Sequence, residues 1–126
     1  MKSRAVGMWW GVAVEAPDPL VLATFYSALL GWPVTGEDNG SLVLAAPEGR
    51  IYLVLQPATE YQRPTWPPQP ASQRPMMHLD VQVGDLDAAV EEAVSLGATL
   101  ADDQPNSTVR VLLDPAGHPF CLSAND

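Results

Sequence analysis

The chain contains few side chains that can carry out chemistry near neutral pH: one cysteine and two histidines. His78 and Asp80 are two positions apart in a predicted strand, so their side chains are expected on the same face. A histidine transfers protons near neutral pH, and a neighbouring carboxylate orients its ring. The other residue of interest, Cys121, is the only thiol, which excludes an intramolecular disulfide framework and is typical of a reducing compartment.

Composition restricts the possible partners of these residues. The chain has 126 residues, with 15 acidic and six basic side chains and a formal net charge of −9. Nucleic acid and anionic membrane surfaces are excluded as partners, because both require clustered Lys and Arg. No apolar run is as long as a membrane span. We therefore expect one cytoplasmic domain over residues 1–126.

Capping residues predict two helices. Asp18-Pro19 is expected to begin the first helix and Gly31 to end it, while Asp85 and Gly97 bound the second. Three strands are predicted around each helix. A shorter strand is predicted directly after each helix, around Val34 in the first half and around Leu100 in the second. The strands before the helices are predicted at Met8–Val14 and Met77–Val83, and the later ones at Ser41–Ala46, Arg50–Gln56, Thr108–Leu113 and His118–Ser123.

These elements repeat along the chain. Asp18 and Asp85 are 67 positions apart, and the turn glycines Gly49 and Gly117 are 68 apart. The spacing predicts an α+β fold of two tandem βαβββ repeats, at about 5–56 and about 76–124, joined by a Pro-rich connector, 57–75. Two such units would curve around a shared cleft, which is a natural site for a ligand.

The pattern resembles the vicinal oxygen chelate superfamily, which includes glyoxalase I, extradiol dioxygenases and bleomycin-resistance proteins. The resemblance extends over nearly the whole chain and implies a glyoxalase-like fold and a homodimer. It is carried by Asp18-Pro19, Phe25-Tyr26, Leu30-Gly31-Trp32, His78-Leu79-Asp80-Val81, Asp85-Leu86, Leu96-Gly97-Ala98 and the stretch from Asp114 to Phe120.

The resemblance also gives four positions for metal ligands, because metal-dependent members take one ligand from the first strand and one from the last strand of each repeat. His78 matches in the second repeat, where the other position falls on Cys121. The counterparts in the first repeat are Gly11 and a position near Leu53, and neither can coordinate a metal. We therefore expect no metal and no other cofactor.

Because family members bind one metal at the positions of His78 and Cys121, the resemblance places these two side chains close together. One hypothesis is a thiol–imidazole pair in which Asp80 orients the ring and the thiol is an activated nucleophile. The alternative is that Cys121 fills space and His78 donates a hydrogen bond.

Strand alternation and the tryptophans complete the predicted site. Trp9 and Trp66 are expected to stack on a flat ligand, whereas Trp10 and Trp32 are expected in the core. Trp66 lies in the Pro-rich connector. The alternative interpretation is that this connector is only a spacer between the repeats. The predicted pocket consists of Trp9, Gly11, Ala13, Leu53, Trp66, His78, Asp80 and Cys121.

Three functions remain open at this stage. The first is a metal-free protein that binds a small organic molecule, with a role in resistance or sequestration. The second is an enzyme, either a lyase or isomerase that uses His78 with Cys121 or Asp80, or a metalloenzyme with a non-standard site. The third is an interaction module that assembles through the Pro-rich connector.

Overall fold

A computed structural model describes residues 1–124, so the last two residues of the predicted domain, 125 and 126, lie outside the described residues. The chain divides into two compact units, Met1–Tyr61 and a second that begins at Gln62. This boundary falls within the segment predicted as a connector. Each unit consists of one strand, one helix and three further strands, which confirms the predicted α+β fold of two βαβββ repeats.

The first unit is a four-stranded mixed sheet with one helix. Its elements are β1 (Trp10–Ala16), α1 (Pro19–Leu30), β2 (Val34–Asp38), β3 (Ser41–Ala45) and β4 (Ile51–Pro57). The strand order is β1-β4-β3-β2, with β1 parallel to β4 and the other pairs antiparallel. The parallel pair forms because α1 returns the chain to the sheet after β1.

The second unit repeats this plan. Its elements are β5 (Leu79–Val83), α2 (Leu86–Leu96), β6 (Thr99–Leu100), β7 (Val109–Leu113) and β8 (Pro119–Ala124). The strand order is β5-β8-β7-β6, again with the first and last strands parallel. Neither helix in residues 1–124 has the length and apolar character needed to cross a membrane.

The predicted caps bound both helices. The Asp18 carboxylate accepts a hydrogen bond from the Leu20 amide at 3.1 Å, and Asp85 accepts one from Ala88 at 3.0 Å. Gly31 ends α1 in the left-handed conformation (φ 70°) and donates its amide to Ser27. An L-residue with a side chain rarely adopts this φ, which explains the glycine.

Each sheet has one side that packs on its helix and one that does not, which we call the helix side and the helix-free side. In the first unit, Leu44, Leu53 and Leu55 are buried on the helix side, with α1 packed against β3 and β4. In the second unit, Phe120 and Leu122 are buried against α2, as predicted. Alternate residues therefore lie on the helix-free sides.

Predictions differ from the structure at the starts of two strands, β1 and β5, and the strand predicted from Met8 begins at Trp10. Trp10, expected in the core, is 55% exposed because it begins the edge strand β1, where only β4 is a neighbour. The strand predicted from Met77 begins at Leu79, directly after His78. If the register of Leu79 with Phe120 is continued by one residue, His78 stands opposite Pro119. Proline has no backbone N–H group, so it cannot donate a further hydrogen bond between the two strands.

Candidate functional site

The structure brings His78, Asp80 and Cys121 together on the helix-free side of the second sheet. Asp80 on β5 is paired directly with Cys121 on β8, and His78 precedes β5 by one residue. Their potential ligand atoms all lie within 4.8 Å of one another. The imidazole Nε2 of His78 is 3.3 Å from Oδ1 of Asp80. Asp80 therefore contacts both other members of the cluster.

The electrostatics of the cluster oppose an activated thiol. Burial raises the pKa of the Cys121 thiol above its ordinary value, and so do the negative charge of Asp80 and a hydrogen bond between these two side chains. A raised pKa keeps the thiol protonated near neutral pH, where it is a weak nucleophile. Asp80 thus lies against the His78 ring, as the thiol–imidazole hypothesis requires, but it also accepts a hydrogen bond from the thiol and opposes its deprotonation.

The side chains of the cluster itself are accessible to a ligand. The His78 side chain is 50% exposed and that of Asp80 is 71% exposed. Cys121 is half-buried between its strand neighbours. A carboxylate accepts hydrogen bonds, whereas the thiol and an imidazole N–H donate them. The cluster can therefore form hydrogen bonds of both kinds with a small molecule.

The first unit has no corresponding cluster. The paired residues Ala13 and Val54 stand 67 positions before Asp80 and Cys121, and Gly11 stands 67 before His78. The register therefore makes Val54 the counterpart of Cys121. Leu53, which we expected at this position, is paired with Val12 and is buried on the helix side, away from Gly11 and Ala13. Neither Val54 nor Leu53 has an atom that coordinates metals.

Gly11 occupies its position because of a close approach by Tyr52. A Cβ on Gly11 would lie 2.5 Å from both Cε2 and the backbone oxygen of Tyr52, closer than real side chains come. Because one of these atoms belongs to the backbone, the strain cannot be relieved by a rotamer change alone. No larger residue fits here without displacing β4. A metal ligand at position 11 of the first strand is thus excluded by packing as well as by sequence.

The residues present allow a test of whether a metal ion could be bound. The arrangement that the resemblance implies, with ligands from both repeats, does not fit this chain, because Gly11 and Val54 carry no ligand. Among residues 1–124, the cluster of His78, Asp80 and Cys121 could hold an ion by itself, and its donor types suit zinc. Such an ion would have to displace the proton that Cys121 retains.

The remaining predicted pocket residues belong to different elements, and each is described within its own unit. Trp9 precedes β1 and is 50% exposed, and Ala13 is exposed on the helix-free side of the first sheet. Trp66 belongs to the second unit, where its indole Nε1 donates a hydrogen bond to the Asp103 carbonyl at 3.2 Å. The polar end of Trp66 is thus used by the protein itself.

Sequence reasoning missed the buried carboxylate of Asp114. Its Oδ1 accepts hydrogen bonds from the amides of Ala116 (2.9 Å) and His118 (3.0 Å), and its Oδ2 is 2.8 Å from Nδ1 of His118. Asp114 is 1% exposed and is the one buried charged residue in the core of residues 1–124. An aspartate at the start of a Pro-Ala-Gly turn is the available sequence signal, because such a side chain caps its own turn.

Tyr52 is the second residue that was overlooked as a site candidate. Its sequence signal is its place opposite a glycine on the neighbouring strand, a pairing in which an aromatic ring often covers the glycine. That pairing depends on the register of β1 with β4, which spacing alone did not give.

Residues 11–123 match the family of glyoxalase-like domains, which is most of the chain. The chain belongs to this family. With it, the chain belongs to the vicinal oxygen chelate superfamily, as the resemblance implied. The comparison with curated proteins found no match.

Solved structures of several glyoxalase-like proteins share the fold at low sequence identity. An antibiotic binding protein from Streptomyces sp. CB03234, TnmS3, is 20% identical, with 98% of this chain and 99% of that chain covered and a TM-score of 0.64. The fosfomycin resistance protein FosX from Listeria monocytogenes is 12% identical, with 97% and 94% covered and a TM-score of 0.70. A glyoxalase/bleomycin resistance protein/dioxygenase family enzyme from Burkholderia phytofirmans PsJN is 16% identical, with 90% and 95% covered and a TM-score of 0.66.

Proposed function

We propose that this glyoxalase-like protein binds a small organic molecule without a metal ion or other cofactor, and that its role is resistance or sequestration. The binding site is the cluster of His78, Asp80 and Cys121. The names of two structural relatives, an antibiotic binding protein and a fosfomycin resistance protein, are compatible with such a role.

One observation carries the metal-free part of this proposal: the position of Gly11. Metal-dependent members of the superfamily need a ligand from each repeat, and here the first strand has a glycine under Tyr52. A side chain of any size at Gly11 would strain β4. The chain has therefore lost the ligand and also the space in which a ligand could stand.

The chemistry of the cluster defines the ligand class. Asp80 offers an exposed carboxylate, and the formal net charge of the chain is −9. A neutral or cationic molecule that donates a hydrogen bond to Asp80 is favoured, because an anion would be repelled by both the carboxylate and the long-range field. The protonated thiol of Cys121 and the imidazole of His78 supply further polar contacts.

Binding can be tested by isothermal titration calorimetry with a panel of cationic and neutral natural products. We expect Asp80→Asn to weaken a cationic ligand about tenfold, since a charge-assisted hydrogen bond is lost. The matched control is Asp87→Asn, which removes one exposed carboxylate from α2 and should leave the affinity within about twofold.

Two results would overturn the proposal. One is that no compound in the panel binds. The other is stoichiometric metal in protein purified without a chelator or a metal-affinity tag, measured by plasma mass spectrometry, together with loss of that metal in Asp80→Asn and His78→Ala. The second result would assign the same three residues to a metal site within one unit.

A second candidate function is cofactor-free proton transfer by a lyase or isomerase. The contact of His78 with Asp80 favours it, because a carboxylate that orients an imidazole is a recurring feature of acid–base catalysis. In this case His78→Ala would abolish exchange of an activated C–H proton for deuterium in a bound ligand. Exchange that proceeds equally in wild type and in His78→Ala would reject this function and leave the binding role intact.

A further inference from the structure

Part of the Pro-rich connector is fixed within the second unit at two points. Arg63 lies over the turn before β8, where its side chain takes up the space that a Cβ on Gly117 would need. The Nη1 of Arg63 also donates a hydrogen bond to the Pro115 carbonyl at 3.4 Å. Trp66 is fixed to the loop between β6 and β7, because its indole Nε1 donates to the Asp103 carbonyl at 3.2 Å. These residues all belong to the second unit, so the connector is attached to the repeat that carries the polar cluster.

The loop that holds the Asp103 carbonyl is itself bonded to the sheet. The next residue is Gln104, whose Nε2 donates to the carbonyls of Ala101 at 2.7 Å and Val111 at 2.9 Å. Its Oε1 accepts a hydrogen bond from the Val111 amide at 2.8 Å. Val111 lies on β7 and is paired directly with Cys121 on β8. The acceptor of the indole is therefore fixed to the strands that carry the thiol of the cluster.

A hydrogen bond within the connector links Trp66 to the chain before His78. The Thr65 amide, next to Trp66, donates to the Gln73 carbonyl at 2.9 Å and closes the loop of residues 65–73. We call this bond the connector clip. Residues 75–77 form no hydrogen bond within residues 1–124, and His78 follows them directly. The connector clip is therefore the nearest hydrogen-bonded point that fixes the chain before His78.

The sheet and side-chain packing do not fix His78 from its N-terminal side. Leu79–Phe120 is the last pair between β5 and β8, and Pro119 has no N–H group to continue it. The two methionines directly before His78 are 92% and 73% exposed, so they pack against little of the protein. The position at which the chain enters β5 is therefore set by the connector and its clip.

We propose that Trp66 is a positioning residue for the binding cluster: it fixes the connector to the Asp103 carbonyl and thereby holds His78 against Asp80. The effect passes through the connector clip and residues 74–77, where Pro75 has a restricted φ. Asp80 belongs to β5 and His78 follows the connector, so their 3.3 Å contact depends on both segments. A ring that is held in place before binding loses less conformational entropy when a ligand arrives. This inference rests on the proposed function, because it takes the cluster as the binding site.

The inference can be tested by ¹³C relaxation NMR of protein labelled at the Cε1 position of histidine. The chain has two histidines, so His78→Ala assigns the His78 signal by its loss. His118, whose ring is bonded to the Asp114 carboxylate, is the internal reference. Trp66→Phe keeps an aromatic ring but removes the indole donor. We expect the order parameter of the His78 ring to fall by about 0.2 in this variant, while that of His118 stays within about 0.05 of wild type.

Two further variants separate a positioning role from a general effect on the fold. Thr65→Pro removes the amide donor of the connector clip but keeps the indole, and it should lower the order parameter of His78 by a similar amount. Gln69→Ala changes an exposed residue of the same closed loop, whose side chain donates only to the Pro67 carbonyl, and it should leave His78 unchanged. All variants are first checked for folding by thermal melting, and Thr65→Pro decides the question if Trp66→Phe does not fold.

The inference is overturned if His78 stays as ordered in folded Trp66→Phe as in wild type, or if both histidines lose order equally. It is also overturned, without any variant, if the order parameter of His78 in the wild-type chain is already about 0.2 below that of His118.

These results differ from failure of the proposed function, because the relaxation measurement uses no ligand. Loss of order at His78 in Trp66→Phe, with no compound of the calorimetry panel bound, supports the positioning role and rejects the binding role. A panel compound that binds through Asp80, with His78 unchanged in Trp66→Phe, rejects only the role of Trp66.

Discussion

The two repeats place different side chains on the same backbone plan. In each unit the first and last strands are parallel and paired residue by residue, and the equivalent pairs are Ala13–Val54 and Asp80–Cys121. The first pair is small and apolar, and the second is polar and linked to His78. The backbone hydrogen bonds of a sheet do not depend on residues that face away from the helix, so each repeat could diverge on that side without losing its fold.

The turns before the last strands show a second contrast between the repeats. In the first unit, the Ala46 amide donates to the Ile51 carbonyl, and no side chain supports the turn in the way that Asp114 does. In the second unit, the amide of Asp114 donates to the His118 carbonyl, and its carboxylate binds two further amides and the His118 ring. The turn that leads into the strand of Cys121 is thus the more rigidly held of the two.

The largest effect is expected from removing that support. Asp114→Ala leaves the amides of Ala116 and His118 without their acceptor and should lower the free energy of unfolding by about 4 kcal/mol. Glu48→Ala, in the exposed turn of the first unit, should change it by less than about 0.5 kcal/mol. Urea denaturation of both variants measures the difference, and equal losses would show that the two turns are held equally.

The second effect concerns the close approach at Gly11. Gly11→Ala should lower the free energy of unfolding by about 2 kcal/mol, because the new methyl group meets Tyr52. Gly36→Ala is the matched control within the same sheet, since a Cβ there meets nothing within 4 Å, and a change below about 0.5 kcal/mol is expected. An unchanged stability of Gly11→Ala would mean that the first repeat can still accept a ligand at this position.

The third effect tests the influence of Asp80 on the thiol. Asp80→Asn removes the negative charge that helps to raise the pKa of Cys121, so the thiolate fraction increases. Iodoacetamide labelling of Cys121 should then be faster at pH 8 in the variant than in wild type. Asp87→Asn, on α2, serves as the control for overall charge and should label at the wild-type rate. Slower labelling in Asp80→Asn would contradict the contact between Asp80 and the thiol.

The smallest effect is a dependence of stability on alkaline pH. The native thiol of Cys121 has a raised pKa, so the unfolded chain loses this proton first as the pH rises above the ordinary thiol value of about 8.5. The native state then binds more protons than the unfolded state, and the free energy of unfolding falls with increasing pH. Cys121→Ser should show a shallower fall between pH 8 and pH 10 in urea titrations, and an identical slope would refute the raised pKa.

Much of the fold followed from local signals in the sequence. Asp18, Gly31 and Asp85 cap helices by interactions within one turn of chain, and such interactions are visible in sequence order. The spacing of these caps was enough to predict both repeats. The start of β5 was misplaced because it depends on Pro119, which lies on a strand 40 residues away in sequence. The predicted homodimer and cytoplasmic location remain predictions.

The site was predictable in its residues but not in its contacts. His78, Asp80 and Cys121 could be named from strand alternation and family resemblance. The order of contacts, with Asp80 bound to both neighbours, depends on the pairing of Asp80 with Cys121. The same pairing places the Asp80 carboxylate beside the half-buried thiol of Cys121, and this raises the pKa of the thiol. No pattern in the sequence distinguishes this arrangement from a thiol–imidazole pair.

The sequence by itself determined the two βαβββ repeats, the family and the loss of a metal ligand at Gly11, because caps, spacing and residue type are local properties. The tertiary structure decided which side of each strand carries which residue, since that depends on the register of β1 with β4 and of β5 with β8. It moved Leu53 to the helix side, put Tyr52 over Gly11 and buried Asp114 beside His118. Contacts between strands distant in sequence form only when the sheet has formed, and they determine the chemistry of each surface.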